Sequence, residues 1–282
     1  MVFFSIYNGK LIQLKMKNLF SDNDINYLKK MFPVFGAEYC AKHLNRSKCA
    51  IKTKAYSLNI KLNKRVDSEQ FFNIKTKEVA YILGLLWADG NVTYSNNKTK
   101  TPIIKHNSKP LDNVTFLKIL NKIGNWNTFT TKNIGSYAKE IKDISTNWIS
   151  SRLIGEFLIN NQYRNKTASP NLILNKIPDK LKVYWFRGYF DGDGSVSIKN
   201  KGYHSIAFTG HEKQDWKFII DLFNEINIIN YRHRIIKSRD GTSSQIIVTN
   251  KSDLLKFENY LYFDYDIDEL GLNRKCNQFK LL

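Results

Sequence analysis

Two aspartates have the clearest chemical potential in this sequence, because each ends an apolar, glycine-containing segment and is followed by glycine. Asp89 ends residues 79–89 and Asp193 ends residues 183–193. If both segments are helices that pack together, the carboxylates meet at the negative ends of two helix dipoles, where a cation is favoured. Two carboxylates with backbone carbonyls and water suit Mg²⁺, which also binds substrate phosphate oxygens. The pair therefore predicts metal-assisted hydrolysis of a phosphodiester bond.

An Asp-Gly dipeptide after an apolar helix also has an ordinary structural explanation. Glycine readily takes the left-handed conformation that ends a helix, so one such dipeptide is usually a stop and a turn. Here the pattern occurs twice at equivalent places of the chain. Four small residues would let the two helices approach closely: Gly84, Ala88, Gly188 and Gly192. The repetition favours a shared metal site over two unrelated helix ends.

The elements that position the two aspartates recur as an approximate internal duplication. Each copy begins with the apolar helix, continues with two strand-like segments and a helix, and closes with two strands and a final helix. The pattern predicts an α+β fold with the order αββαββα twice. It divides the chain into a first repeat over residues 67–165, a linker over 166–180 and a second repeat over 181–282.

The two segments resemble the paired LAGLIDADG motifs of single-chain homing endonucleases. Residues 82–90 fill the nine motif positions in the first copy, and residues 186–194 fill them in the second. The resemblance covers about residues 70–282 and implies a pseudo-two-fold fold with two saddle-shaped antiparallel sheets over DNA. It also implies a Mg²⁺ site at the eighth motif position and the carbonyl before it: Asp89, Asp193, Ala88 and Gly192.

The same resemblance implies polar side chains that order water near the metal. Ser108 and His211 lie the same number of residues before the end of the middle helix of their own copy, which places both in this role. His106 lies close to Ser108. A lysine that starts the final helix often completes the basic pocket in the family. Lys251 fits this position in the second copy, whereas the first copy has Trp148 there.

Two motif positions depart from the family pattern. Trp87 stands where an acid is usual, although the second copy keeps Asp191 there. This position is not the metal ligand, so catalysis is not put in doubt. Arg187 is also unlike the consensus, and we expect it to face away from the helix pair or to pair with a neighbour.

The composition favours a nucleic-acid partner. The 282 residues contain 44 Lys and Arg against 25 Asp and Glu, which is a net charge of +19. Such an excess points to nucleic acid rather than to an anionic membrane surface. The apolar share of 42% is enough for a core, which excludes disorder of the whole chain.

Other features bear on the compartment. No apolar run approaches the ~18–20 residues of a membrane span, and the start of the chain lacks the order of a signal peptide. The cysteines Cys40, Cys49 and Cys276 show neither metal-site spacing nor an even disulfide framework. We therefore expect an unsecreted protein without a membrane partner, in the cytoplasm of a bacterial or phage-infected cell or in an organellar matrix.

The first quarter of the chain predicts a separate DNA-binding module. After an extension of unassigned role over residues 1–17, residues 18–66 show three short helical patterns. Ser21 caps the first, Gly36 opens the second and Ser47 caps the third, which together form a helix-turn-helix. The third helix would present lysines to a major groove and its phosphates: Lys48, Lys52 and Lys54. The alternative is a small three-helix domain with a solvated lysine face.

Polar residues of the predicted strands and hairpins are candidate DNA contacts. Arg and Lys suit guanine, Asn suits adenine, and most lysines contact phosphate. The candidates in the two repeats are Asn96, Lys98, Lys100, Lys105, Lys199, Lys201, His204, Arg232, Arg234, Lys237 and Arg239. The halves differ at almost every such position, so we expect an asymmetric target and a monomeric enzyme.

These patterns predict a site-specific, Mg²⁺-dependent endonuclease that cuts both strands of DNA. Two alternatives stay open. An RNA maturase would use the same basic surface to bind its host intron RNA, and a non-catalytic regulator would use the helix-turn-helix. The retained pair of aspartates argues against the regulator, since a non-catalytic protein has no need of two repelling carboxylates.

Overall fold

The computed structural model describes most of the chain, in nine segments: residues 3–7, 10–14, 20–61, 66–94, 101–133, 142–199, 203–238, 241–264 and 270–282. Contacts divide the chain into two compact units, Met1–Lys64 and Arg65–Leu282. Within the segments described, no helix is both long and apolar enough to cross a bilayer.

The first unit contains a hairpin and helices. Strands β1 (Phe3–Tyr7) and β2 (Lys10–Leu14) pair antiparallel. Helix α1 (Asp22–His43) is broken at Gly36, whose φ of 74° favours glycine. Helix α2 (Lys48–Ser57) follows a short turn.

The predicted helix starts of the first unit are observed. The Ser21 hydroxyl accepts a hydrogen bond from the Asp24 backbone N–H at 3.2 Å, and the Ser47 hydroxyl accepts one from Ala50 at 3.1 Å. Leu28, Cys40 and Ile51 are fully buried in the core of this unit. The unit therefore has three helical segments, and its role as a DNA-binding helix-turn-helix stays a prediction.

The second unit contains the order αββαββα twice. The first repeat follows the short helix α3 (Glu69–Phe72) and consists of α4 (Lys77–Asp89), β3 (Gly90–Tyr94), β4 (Pro102–Ser108), α5 (Pro110–Leu120), β5 (Asn127–Asn133), β6 (Lys142–Ser150) and α6 (Arg152–Asn160). The second repeat follows α7 (Asn171–Leu174) and consists of α8 (Asp179–Asp193), β7 (Gly194–Lys199), β8 (Tyr203–His211), α9 (Lys217–Glu225), β9 (Tyr231–Ser238), β10 (Gly241–Val248) and α10 (Lys251–Tyr262). Helix α11 (Asn273–Phe279) comes last.

The two repeats have the same sheet topology. Each sheet has four strands, in the orders β3-β4-β6-β5 and β7-β8-β10-β9, and all neighbours are antiparallel. The α+β prediction is confirmed. One expectation is wrong: Trp148 does not start the final helix of the first repeat, because β6 continues to Ser150 and Ile149 keeps its register with Ile104 of β4.

Helices α4 and α8 lie at the centre of this unit. Every residue from Val79 to Trp87 is buried, and α8 is buried almost throughout. A helix that is apolar around its whole circumference needs neighbours on all sides. The sheets and the other helices supply them, which fixes the two motif helices in the core.

Candidate active site

The two motif helices touch through their backbones. A Cβ added to Gly84 would lie 1.9 Å from the Trp185 carbonyl oxygen, and one added to Gly188 would lie 2.1 Å from the Tyr81 carbonyl oxygen. Only glycine permits so close an approach. Because Gly84 precedes Asp89 in α4 as Gly188 precedes Asp193 in α8, the contact brings the two helix ends together.

The structure places the two aspartates beside each other, as the sequence predicts. A Cβ added to Gly192 would lie 2.3 Å from the Ala88 Cβ and 3.1 Å from Asp89 Oδ2. The Asp89 carboxylate therefore lies against the residue that precedes Asp193. Both carboxylates stand at helix carboxyl ends, where the helix dipoles favour a positive ligand.

The two carboxylates repel each other. Burial and, to a smaller extent, the nearby charge of Asp89 raise the pKa of Asp193 to about 7, although Lys166 and Lys275 oppose the rise. The pKa of Asp89 is also raised, because the surrounding protein removes water from around its carboxylate, although the side chain still reaches solvent. Each carboxylate is thus costly to ionise next to the other, and a divalent cation between them would remove that cost.

The donor set fits Mg²⁺. Among the residues described, no three or more His, Cys, Asp or Glu side chains form a cluster that would cage a metal. Mg²⁺ needs no such cage, because it keeps several waters and binds through one or two carboxylates and substrate phosphates. Two adjacent carboxylates meet this need with the neighbouring Gly192 carbonyl, whereas the Ala88 carbonyl accepts a hydrogen bond from Lys166 at 2.9 Å.

Two lysines flank the carboxylates, Lys275 buried and Lys166 half-buried, and sequence reasoning did not find either. Lys166 donates to the carbonyls of Ala88, at 2.9 Å, and Gly90. Lys275 donates to the carbonyls of Phe190, at 2.6 Å, and Asp191, at 2.8 Å, and also to that of Gly194. Each ammonium group satisfies carbonyls at the end of one motif helix.

Burial lowers the pKa of each lysine to about 8. Both lysines stay largely protonated at neutral pH, because nearby aspartates favour the charged form. A sequence signal for the pair exists. Each lysine follows the final helix of its repeat and ends a triplet of two basic residues and one asparagine, residues 164–166 and residues 273–275.

A cleft of about 420 Å³ opens beside Asp89 and combines both repeats. The first repeat contributes Asp89, Ser108 and Asp112 to its walls, and the second contributes Arg274 and Lys275. The cleft therefore joins a carboxylate of one repeat to the cations of the other.

The predicted pocket residues are only partly brought together. Ser108 lines the cleft, and its hydroxyl donates to Asn113 Oδ1 at 3.1 Å. His211 is exposed at the end of β8, where its Nδ1 accepts from the Lys213 backbone N–H at 3.1 Å. Lys251 is exposed at the start of α10 and donates to the Leu282 carbonyl. The lysine in the cleft is Lys275 rather than Lys251, because the chain after α10 folds back over the end of α8.

His106 is fully buried and is not available as a base. Burial and, to a smaller extent, the nearby charge of Lys166 lower its pKa to about 3. The ring contacts Asn147 Nδ2 through Nδ1 at 3.4 Å and packs edge-on against Phe116. It stays neutral at physiological pH.

Asp191, which keeps the family's usual acid, and the unusual Arg187 both have structural roles. Asp191 Oδ2 accepts from the Tyr81 hydroxyl at 2.6 Å and from the Leu272 backbone N–H at 2.9 Å, which ties both motif helices to the carboxyl-terminal segment. Arg187 donates to the Leu261 carbonyl at 2.6 Å and to Asp264 Oδ1 at 2.7 Å. The prediction that Arg187 pairs with a neighbour is confirmed.

The candidate DNA contacts of the second sheet divide between two faces. Arg232 and Arg234 are exposed on one face of β9, and Lys237 lies on the opposite face because side chains alternate along a strand. Arg234 donates to Gln245 Oε1 at 2.9 and 2.6 Å, and Gln245 donates to the Thr209 hydroxyl at 2.9 Å. These three side chains form a polar row across β9, β10 and β8.

The other candidate DNA contacts differ in exposure. Lys105 and His204 are half-buried on β4 and β8. Lys48 and Lys52 are exposed on α2 and Lys54 is half-buried there; Lys48 also pairs with Glu38 at 3.0 Å. Lys199 ends β7, but its side chain is not described. The remaining candidates lie outside the described residues: Asn96, Lys98, Lys100, Lys201 and Arg239.

Most of the second repeat is similar to a known protein family. Residues 180–262 match the family model of the LAGLIDADG-like domain. The match begins in α8, ends in α10 and includes Asp193 and Gly194. The LAGLIDADG-like domain thus spans less than a third of the chain, and it coincides with the second copy of αββαββα.

Solved structures of homing endonucleases are similar to the chain at low identity. The homing endonuclease I-WcaI, bound to its DNA recognition sequence, is 15% identical over 76% of this chain and 90% of its own, with a TM-score of 0.48. The I-LtrWI LAGLIDADG homing endonuclease, bound to target DNA, is 16% identical over 73% and 89%, with a TM-score of 0.43. The LAGLIDADG meganuclease I-AabMI, bound to uncleaved DNA, is 13% identical over 71% and 87%, with a TM-score of 0.43. No curated protein matches the chain.

The crowded carboxylates predict how stability depends on pH when no metal is bound. The pKa of Asp193 is about 7 in the folded protein, against a usual value of 3.8. Between these values the folded protein holds a proton that the unfolded chain has released, so the free energy of unfolding falls as pH rises. Thermal unfolding in chelator across this range is expected to show the fall, and Asp193→Asn is expected to reduce it. Asp221→Asn, at an exposed carboxylate, is the control. If Asp193→Asn left the dependence of the free energy of unfolding on pH unchanged, the predicted effect of Asp193 would be contradicted.

Proposed function

We propose that this protein is a site-specific DNA endonuclease of the LAGLIDADG homing type, which hydrolyses both strands of an asymmetric target with a divalent metal. The observation that carries the proposal is the meeting of Asp89 and Asp193 at the ends of two helices in backbone contact. The match of residues 180–262 to the LAGLIDADG-like domain supports it from an independent direction.

The two carboxylates would hold the metal, and Mg²⁺ is the proposed ion. When bound, it would stabilise the negative charge on the attacking and leaving oxygens of the phosphodiester. The protein's own groups would orient the phosphate around it. Lys166 and Lys275 place positive charge at the two helix ends, where it attracts the phosphate backbone. The Ser108 hydroxyl faces the cleft beside Asp89 and can hold a water there by hydrogen bonding.

An asymmetric target is supported by equivalent positions of the two sheets. The row Arg234, Gln245 and Thr209 of the second sheet is matched in register by Phe129, Thr146 and Asn107 of the first. Arginine and glutamine suit guanine and adenine edges, whereas phenylalanine suits apolar contact with thymine. The two halves would therefore read different base pairs, and one chain would suffice as a monomer.

The first unit would add affinity through the lysines of α2. Replacing Lys48, Lys52 and Lys54 together by Gln is expected to weaken DNA binding and to lower the slope of log affinity against log salt by about 2–3, since each lost phosphate contact contributes about 0.9. Cleavage at saturating protein is expected to stay unchanged. Fluorescence anisotropy at several salt concentrations measures both quantities.

The matched control replaces the exposed lysines of α1, namely Lys29, Lys30 and Lys42. A general loss of charge would affect both triple variants equally. Equal losses in affinity and slope would therefore show that α2 does not face DNA.

The direct test is cleavage of plasmids that carry a library of insertion-site sequences, with Mg²⁺ or with chelator. The proposal expects linear product from one asymmetric site, only when the divalent metal is present. Tight binding of one DNA site without cleavage would instead favour a regulator. Binding of intron RNA with stimulated splicing, and no DNA cleavage, would favour a maturase.

A further inference from the structure

The carboxyl-terminal segment of the second repeat makes an ion pair with the first repeat. The Arg274 guanidinium donates from Nε to Asp112 Oδ1 at 2.7 Å and from Nη2 to Asp112 Oδ2 at 2.8 Å. Asp112 lies in the first turn of α5, and its side chain is only 10% exposed. Two parallel hydrogen bonds between a guanidinium and a carboxylate fix orientation as well as distance.

The residue after Arg274 is the cleft lysine. Lys275 is 3% exposed and holds three carbonyls at the end of α8. Arg274 therefore reaches α5 of the first repeat while Lys275 holds the end of α8, and both residues line the cleft. The start of α11 is fixed on both sides of the space next to Asp89.

The first repeat lacks this ion pair. Asn165 precedes Lys166, where Arg274 precedes Lys275. The neighbouring Thr167 carbonyl accepts a hydrogen bond from the Asp215 backbone N–H at 2.8 Å, which ties this segment to the second repeat through main-chain atoms. Within the described segments, the cross-repeat contact next to Lys275 depends on a pair of side chains, whereas the one next to Lys166 joins main-chain atoms.

We infer that the Asp112–Arg274 ion pair is a latch between the repeats, and that it positions Lys275 in the cleft beside Asp89. Arg274 and Asp112 are positioning residues in this role. The inference rests on the proposed nuclease function for its consequence, which is that loss of the latch slows cleavage of one DNA strand more than the other. A displacement of about 1 Å can cost a catalytic site roughly 100-fold in rate, whereas the Lys166 site keeps its own support.

A chemical test does not depend on DNA cleavage. In the full-length wild type, limited acylation with acetic anhydride, read by mass spectrometry, is expected to modify Lys275 and Lys166 slowly. Both ammonium groups are hydrogen-bonded to helix carbonyls, and Lys275 is also buried. Arg274→Gln and Asp112→Asn are each expected to raise the modification rate of Lys275 about tenfold and to leave that of Lys166 unchanged. Lys217→Gln, which breaks an exposed ion pair with Asp221 on α9, is the control and is expected to change neither.

A kinetic test uses DNA labelled separately on each strand. Arg274→Gln and Asp112→Asn are expected to slow the same strand by about 10- to 100-fold, so that nicked product accumulates. The double variant is expected to be no slower than either single variant, because both remove one contact. Arg274→Lys keeps the charge but loses the paired hydrogen bonds, so an intermediate rate is expected.

The results separate the latch from the proposed function. Faster acylation of both lysines, or of neither, would overturn the latch, and so would equal slowing of the two strands. If the wild type cuts no DNA, the nuclease proposal fails. The acylation rates of Lys275 and Lys166 then still decide whether Asp112 and Arg274 position the lysine.

Discussion

Asp89→Asn and Asp193→Asn are each expected to lower the rate of double-strand cleavage by at least about 10²–10³-fold, while DNA affinity changes little. Asparagine keeps the size of the side chain but removes the negative charge that holds a divalent cation. Loss of one preorganised electrostatic group in an active site typically costs this much. The two carboxylates lie against each other, so each substitution is expected to disturb both strand cleavages.

The measurement is single-turnover cleavage of a labelled duplex with Mg²⁺, beside an equilibrium binding assay with Ca²⁺. Asp221→Asn is the matched control, since its carboxylate is exposed on α9 and pairs with the exposed Lys217. Near wild-type cleavage by Asp89→Asn or Asp193→Asn would refute their role as metal ligands. Loss of DNA binding in step with cleavage would show a folding defect instead.

Gly84→Ala and Gly188→Ala are expected to destabilise the second unit by at least about 3 kcal/mol each. The added Cβ would lie 1.9 Å from a backbone carbonyl oxygen in the first case and 2.1 Å in the second. Backbone atoms of a buried helix cannot move aside as a side chain can, so the two helices must separate and the core must repack.

Chemical unfolding followed by circular dichroism measures this loss. Gly210→Ala is the control, because its added Cβ would meet side chains rather than backbone, namely Gln214 at 3.1 Å and Trp216 at 3.2 Å. It is expected to cost less than either motif substitution. Wild-type stability in Gly84→Ala would mean that the helices do not pack through their backbones.

The aspartates, the motif helices and the repeated order of elements could be predicted from the sequence because their signals are local. Apolar residues in a continuous helical run, followed by Asp-Gly, indicate a buried helix and its end within a dozen positions. The caps at Ser21 and Ser47 depend on residues only three positions away. The recurrence of αββαββα then made the pairing of the two helices an expectation rather than a coincidence.

The end of β6 could not be placed in the same way. Residues 146–149 read as the approach to a helix, but β4 extends the ladder through them by pairing Ile104 with Ile149. Strand length depends on the partner strand, which lies about forty residues away along the chain.

The lysines of the site were decided only by tertiary structure. Lys166 lies in a predicted linker and Lys275 lies in the last helix of the chain. The similar triplets at residues 164–166 and 273–275 mark the two lysines as equivalent, but they do not indicate that either lysine reaches a motif helix. Each lysine joins the site because the chain that follows the last helix of a repeat folds back and places the ammonium group against carbonyls at the end of a motif helix. The sequence by itself determined which carboxylates meet, since helix packing is encoded by the glycines of the helices themselves. The tertiary structure determined which cations meet them, because that depends on where distant segments cross between the repeats.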